Sequence, residues 1–135
     1  MSDAPPPPAA LRIRLDAPAE VRAGDAVPFT LRVENAGARP LELYLRGRAI
    51  AFDVVVARPD GLTMWRRLGG EVVQAILQIR VLAPGEVLEL RAAWDQRDGR
   101  GAPVGPGDYR AHGVLLMESP ERVSTAPVPL RIVRR

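Results

Sequence analysis

The sequence predicts an all-β sandwich of antiparallel strands, about seven to nine of them. Three observations carry that prediction. Apolar and polar residues alternate with a period of two in one run after another; each run is short and ends in glycine, proline, asparagine or aspartate; and no long stretch holds the 3.6-residue period of an amphipathic helix. At 135 residues the chain is one domain, long enough to bury a two-layer core without cross-links.

The elements follow in order. Residues 1–10 contain four consecutive prolines, Pro5 to Pro8, and predict an extended, flexible leader, because proline cannot donate to a sheet. Residues 11–135 form the domain. Leu11, Ile13 and Leu15 share one face of a first strand, with Arg12 and Arg14 on the other. The alternation returns in Phe29, Leu31 and Val33 against Thr30, Arg32 and Glu34, and in Leu41, Leu43 and Leu45 against Glu42, Tyr44 and Arg46. It recurs in Phe52, Val54 and Val56, in Leu88 to Trp94, in Tyr109 to Leu115, and in Val128, Leu130 and Ile132. Residues 35–40, 58–61 and 83–86 (N-A-G-A-R-P, R-P-D-G and A-P-G-E) supply the reversals. Residues 71–79 stay open, since Val72, Val73, Ala75, Ile76 and Ile79 line a short helix as well as a strand.

Seven such strands with turns at this spacing suit an immunoglobulin-like sandwich. Inward faces then hold Leu31, Val33, Leu43, Phe52, Val54, Leu90, Trp94, Tyr109 and Leu115, and outward faces hold Arg32, Glu34 and Glu89. Tyr109, just after Pro106-Gly107-Asp108, stands where a tyrosine corner forms, its hydroxyl bonding back to the preceding loop. Trp94 and Phe52 are structural by the same alternation, whereas Trp65, followed by Arg66 and Arg67, is read as reaching a sheet edge.

Chemistry is sparse. There is no cysteine, and the single histidine, His112, falls on the outward face of a strand. Ser2, Ser119 and Ser124 lie in no nucleophile elbow. Asp95, Asp98 and Asp108 lack the spacing of a calcium loop and have Arg97 and Arg100 among them. The glycines of residues 99–107 are separated by prolines and open no helix. A non-enzymatic domain without metal or cofactor is expected. All nineteen basic residues are arginine, with a net charge of +3, but they alternate with acids and have no stacking aromatics among them, so nucleic acid is not the expected partner. No apolar run suits a signal sequence or a membrane span, which implies a cytoplasmic protein if Met1 is the natural start.

Between Phe52 and Asp95 the chain reads F-D-V-V-V, R-P-D-G, M-W-R-R-L, Q-A-I-L-Q, L-A-P-G-E and A-A-W-D, preceded by F-T-L-R-V-E-N-A-G from Phe29 and followed by G-D-Y-R-A-H-G-V-L from Gly107. In that order the pieces resemble the intracellular proteinase inhibitor (BsuPI) family over roughly residues 27–120. The resemblance implies an immunoglobulin-like fold and a subtilisin-like serine protease as partner. Two segments depart from the pattern of members near the founding protein: Arg46-Gly47-Arg48 stands in place of S-G-Q, and Trp65-Arg66-Arg67-Leu68 in place of W-R-W-S.

A sandwich without catalytic groups acts through loops and edges. The first candidate contact is the loop 96–107, whose prolines and glycines favour a preorganised shape, with Arg97, Arg100, Pro103 and Val104 as contact residues. The second is 61–70, with Trp65 and Arg66. The first loop is expected to contribute little to the core. The alternative is a structural or assembly module that pairs a protein partner along a strand edge, without protease inhibition.

Overall fold

The computed structural model describes residues 10–47, 50–69, 73, 76–118 and 123–135; the leader and much of the open segment 71–79 lie outside them. Strands β1 (Leu11–Asp16), β3 (Val27–Asn35) and β8 (Val87–Trp94) form one antiparallel sheet with β3 central. The facing sheet runs β2 (Glu20–Arg22), β11 (Val128–Val133), β9 (Gly107–Leu115), β5 (Phe52–Ala57) and β6 (Thr63–Arg66), with the short β10 (Val123–Ser124) also on β9. A separate ribbon pairs β4 (Leu41–Arg46) with β7 (Leu77–Leu82). The architecture is an immunoglobulin-like β-sandwich.

Alternation places the core as expected. Leu31, Val33, Leu43, Phe52, Val54, Trp94, Tyr109 and Leu115 are buried, and Leu90 is half-buried against them. Glu89 is exposed, and Arg32 and Glu34 are half-buried. Arg32 lies across its sheet's outer face, its guanidinium bonded to Asp16 and 2.9 Å from Glu89, so cross-strand ion pairs cover the polar side.

Four features go beyond the sequence reading. The described residues hold eleven strands, the short β2, β6 and β10 adding to the longer ones that show a period of two. One pair is parallel: β2 runs alongside β11. Pro18 explains it, since a residue without N–H interrupts the strand after Asp16 and lets the chain cross from the first sheet to the edge of the second. There the carbonyl of Ala19 accepts from the Arg131 N–H at 2.9 Å. The described residues of the open segment include its end, 77–79, which is strand and begins β7, while 73 and 76 have no regular structure. Finally, β5 is buried on both faces over Phe52–Val56, so alternation alone misplaces Asp53 and Val55 outside.

Gly113 on β9 packs directly against side chains of the facing sheet. A Cβ there would sit 2.6 Å from Leu31 Cδ1 and 3.6 Å from Leu15 Cδ1, inside van der Waals contact with a fully buried side chain. Gly113→Ala is therefore expected to destabilise the domain by about 1–3 kcal/mol through overpacking, although alanine is otherwise the better strand residue. A lowered urea midpoint with unchanged slope is the expected reading.

Candidate functional site

The loop after β8 is built by its own hydrogen bonds. Gln96 takes a left-handed backbone, φ 63°, which turns the chain sharply out of the strand. The indole N–H of Trp94 donates to the Arg97 carbonyl at 2.8 Å, and the Val104 N–H returns to the Gln96 carbonyl at 3.0 Å. Between them Arg97 and Pro103 form a bridge, and Asp98 accepts from the N–H groups of Arg100 and Ala102 at 2.8 and 3.0 Å. The result is a small closed hairpin whose tip is 98–102. Its base is held from the other end by Tyr109, whose hydroxyl shares its one proton between the carbonyls of Val104 and Gly105, each at 2.8 Å.

The second loop is the turn between β5 and β6. Asp60 accepts from the Leu62 N–H at 3.0 Å and Gly61 has φ 95°, which fixes a tight reversal and leaves Leu62 56% exposed at its end. Beyond it Trp65 lies half-buried between Phe29 and Trp94, with ring centroids 6.4 and 5.7 Å away and both pairs stacked. Trp94 meets Tyr109 edge-on at 6.4 Å. Arg66 reaches Asp53, 3.2 Å away, while the same carboxylate takes the Leu68 N–H at 3.0 Å. Arg67 lies 3.9 Å above the Phe52 ring and donates to the Phe52 carbonyl at 2.8 Å.

The two loops meet. The Gly99 N–H donates to the Met64 carbonyl at 3.1 Å, so the hairpin tip caps the open edge of β6. They enclose a groove of about 550 Å³ lined by Leu62, Met64, Trp65, Arg66, Gly99 and Arg100. Its floor is aromatic, and its rim carries Arg66 and Arg100 with Asp98 beside them. Arg66 is offset by the buried Asp53, whereas the Arg100 side chain enters no ion pair among the described residues. A larger groove of about 660 Å³ follows the outer side of β1, but Arg32 in it is already paired with Asp16 and Glu89.

Of the residues nominated from sequence, Trp65, Arg66 and Arg100 line the groove. Arg97 faces inward along the hairpin, donating to the Gly101 carbonyl at 2.8 Å, and Pro103 is its bridge partner. Val104 is half-buried and offers its carbonyl to Tyr109. Trp65 lies on an edge strand, as read from sequence, while its ring is also a link in the interior stack. Sequence reasoning also missed Gln96. Its buried amide accepts from the Gly24 N–H at 3.1 Å and donates to the carbonyls of Arg22 and Asp25, both at 2.8 Å, and so pins the loop to the chain's first turn. The base of the loop is thus part of the framework, contrary to the expectation that the loop adds little to the core. A polar residue one place past a strand end was the only sequence signal. Asp95, Asp98 and Asp108 do not converge: Asp95 pairs with Arg97, Asp108 with Arg131, and Asp98 caps its own hairpin. Among the described residues no cluster of three His, Cys, Asp or Glu side chains could hold a metal ion.

The family model for intracellular proteinase inhibitors, BsuPI, matches residues 15–120, from the end of β1 through the loops just described and past β9. The chain belongs to the BsuPI family. No curated protein sequence matches it. Among solved structures, dimeric latent PorU from Porphyromonas gingivalis is similar over 94% of this chain at 17% identity, with a TM-score of 0.53. Alkylpurine DNA glycosylase AlkC from Pseudomonas fluorescens, bound to DNA containing an abasic-site analogue, is similar over 93% at 16% identity and a TM-score of 0.50. The CARDB domain of a Pyrococcus furiosus protein, in complex with di-metal ions, is similar over 91% of this chain and 87% of that one, at 15% identity and a TM-score of 0.48. The BsuPI-type chain spans only 10% of PorU and 31% of AlkC, and at these identities the likeness is one of fold.

Two titrations report on the loop. Burial holds the Tyr109 hydroxyl above its ordinary value, opposed by the charge of Arg58. The unfolded chain therefore ionises first, near about pH 10, so this group's contribution to stability is complete below that pH and is lost as pH rises through the folded value. Tyr109→Phe is expected to lessen the alkaline loss and to cost roughly 1–2 kcal/mol at neutral pH, measured by urea melts at stepped pH. At the tip, the N–H groups of Ala102 and then Arg100 hold the Asp98 carboxyl below its ordinary range. Its contribution is present above about pH 4 and is lost as pH falls through the folded value. The amide resonances of Arg100 and Ala102 are expected to shift together in that acid range, and Asp98→Ala to abolish the shift.

Proposed function

We propose that this domain is a non-enzymatic inhibitor of a subtilisin-like serine protease, acting in the cytoplasm and binding through the end of the sandwich where Leu62 and the 98–102 hairpin meet. Family membership supports a protease as partner. The observation that carries the choice of surface is the Gly99 to Met64 hydrogen bond, which joins the two candidate loops into one preorganised edge. Such an edge enters a cleft with its ordering cost already met. Leu62 supplies an exposed apolar side chain on a tight turn, and Arg66 and Arg100 supply charge beside it. Interleaved ion pairs such as Arg32–Glu89, Arg97–Asp95 and Arg131–Asp108 argue against a continuous phosphate track for nucleic acid. No helix among the described residues is long and apolar enough to cross a membrane.

A second reading, a module that binds a protein along a strand edge without inhibiting a protease, is favoured by one observation: the outer edge of β7 pairs with no other strand among the described residues.

The test is titration of the domain against a purified subtilisin-like serine protease, with two variants beside it. Replacing 99–102 by a Gly/Ser segment keeps Gln96, Arg97 and Tyr109 in place, so folding is expected to persist by circular dichroism. Inhibition is expected to weaken by roughly tenfold or more, since ordering entropy returns on association. Leu62→Asp is expected to weaken it similarly. Undiminished inhibition by both variants removes this surface, and no inhibition by the wild type removes the inhibitory reading for that protease.

A further inference from the structure

The β4–β7 ribbon inverts the usual pattern. Register places Glu42, Tyr44 and Arg46 beside Val81, Ile79 and Leu77 on the face turned away from the core. Leu77, Ile79 and Val81 are 44%, 62% and 50% exposed, and Tyr44 adds 41%. These side chains form one apolar strip on a strand whose other edge has no partner strand among the described residues.

The hydrogen-bond phase decides what that edge offers. The Arg46 N–H donates to the Leu116 carbonyl and the Tyr44 carbonyl accepts from the Glu118 N–H, so the peptide groups of Arg46 and Tyr44 point away from β7. In an antiparallel pair their opposite numbers then point away too. Leu77, Ile79 and, by the same phase, Val81 therefore direct N–H and C=O outward, while Gln78 and Arg80 face β4. An exposed, apolar, β-branched edge of this kind is a template for another strand.

We infer that the edge pairs with a second copy of this chain, β7 against β7 in antiparallel fashion about a two-fold axis at Ile79. That register is self-complementary. It aligns all three outward-facing residues, Leu77 with the partner's Val81 and Ile79 with itself, and allows six main-chain hydrogen bonds, two for each of three facing pairs. It extends the apolar strip across both copies with Tyr44 at each end of the central row. The outer rows each end in opposite charges, Glu42 on one copy and Arg46 on the other, so no row sets like charges together. The neighbouring register centred on Arg80 does the opposite, setting two guanidinium groups face to face. Edge pairing alone buries less than a standard interface, so the dimer is weak and concentration-dependent.

This inference is independent of protease inhibition, and its test needs no protease. Sedimentation of the full chain over about a hundredfold range of concentration is expected to show reversible dimerisation. Ile79→Lys, at a mostly exposed position, is expected to leave the thermal melt unchanged and to raise the dissociation constant by roughly tenfold or more. Because the chain has no cysteine, a single Ile79→Cys substitution reports the axis. Facing residues of a hydrogen-bonded pair lie about 5.5 Å apart at Cα, within disulfide reach, so mild oxidation is expected to yield a covalent dimer well above that of an exposed control, Leu62→Cys. A chain monomeric throughout, a dimer indifferent to Ile79→Lys, or equal cross-linking by the two cysteine variants would each overturn it, including the case in which the edge instead takes a strand from another protein.

Discussion

The structure depends on a stack of four aromatic rings that crosses between its two sheets. Phe29 and Trp94 come from one sheet, and Trp65 and Tyr109 from the other. With only two tryptophans, two tyrosines and two phenylalanines in the chain, most of the aromatic complement is committed to this one contact. Aromatic rings carry a large apolar area, and offset or edge-on geometry adds to what their burial contributes. The same stack surfaces at Trp65 as the floor of the candidate groove, so the site inherits its shape from the strongest part of the core.

Around that stack the turns are fixed by a few buried polar side chains, each fully engaged. Asn35 donates to the carbonyls of Arg39 and Leu82 and accepts from the Gly37 N–H, which fastens the β3–β4 turn to the end of β7. Asp53 fastens the segment after β6, Thr125 bonds to Gly113, and Gln96 ties the loop 96–107 to the first turn. Among the described residues no buried side-chain nitrogen or oxygen lacks a partner. Unsatisfied groups of this kind are costly, so these side chains specify one arrangement of the turns more than they add net stability.

Strands with one buried face were legible because alternation records that face directly, as at Leu31 and Val33 or Tyr109 and Leu115. The tyrosine corner was legible for the same reason, with P-G-D marking the turn before it. Legibility failed where period and burial part company. On β5, Asp53 is buried because a neighbouring segment folds over it, and on β7 three aliphatic residues face outward. Arg97 and Arg100 look equivalent in sequence, yet one serves the hairpin and the other the groove, a distinction set by hydrogen bonds within the loop. Gln96 was hidden because its partners lie more than seventy residues away in the chain.

That separation has an entropic meaning. Gln96 meets Arg22 and Asp25 where Val27 pairs with Trp94, a closure of a long stretch of chain whose entropic cost must be offset by the contacts it allows. The hairpin's own hydrogen bonds are local, whereas its anchorage to the first turn joins distant parts of the chain and so carries that cost. Separating the first turn from the end of β8 would leave the hairpin its internal bonds but take away the amide contacts of Gln96 that fix where it sits on the domain.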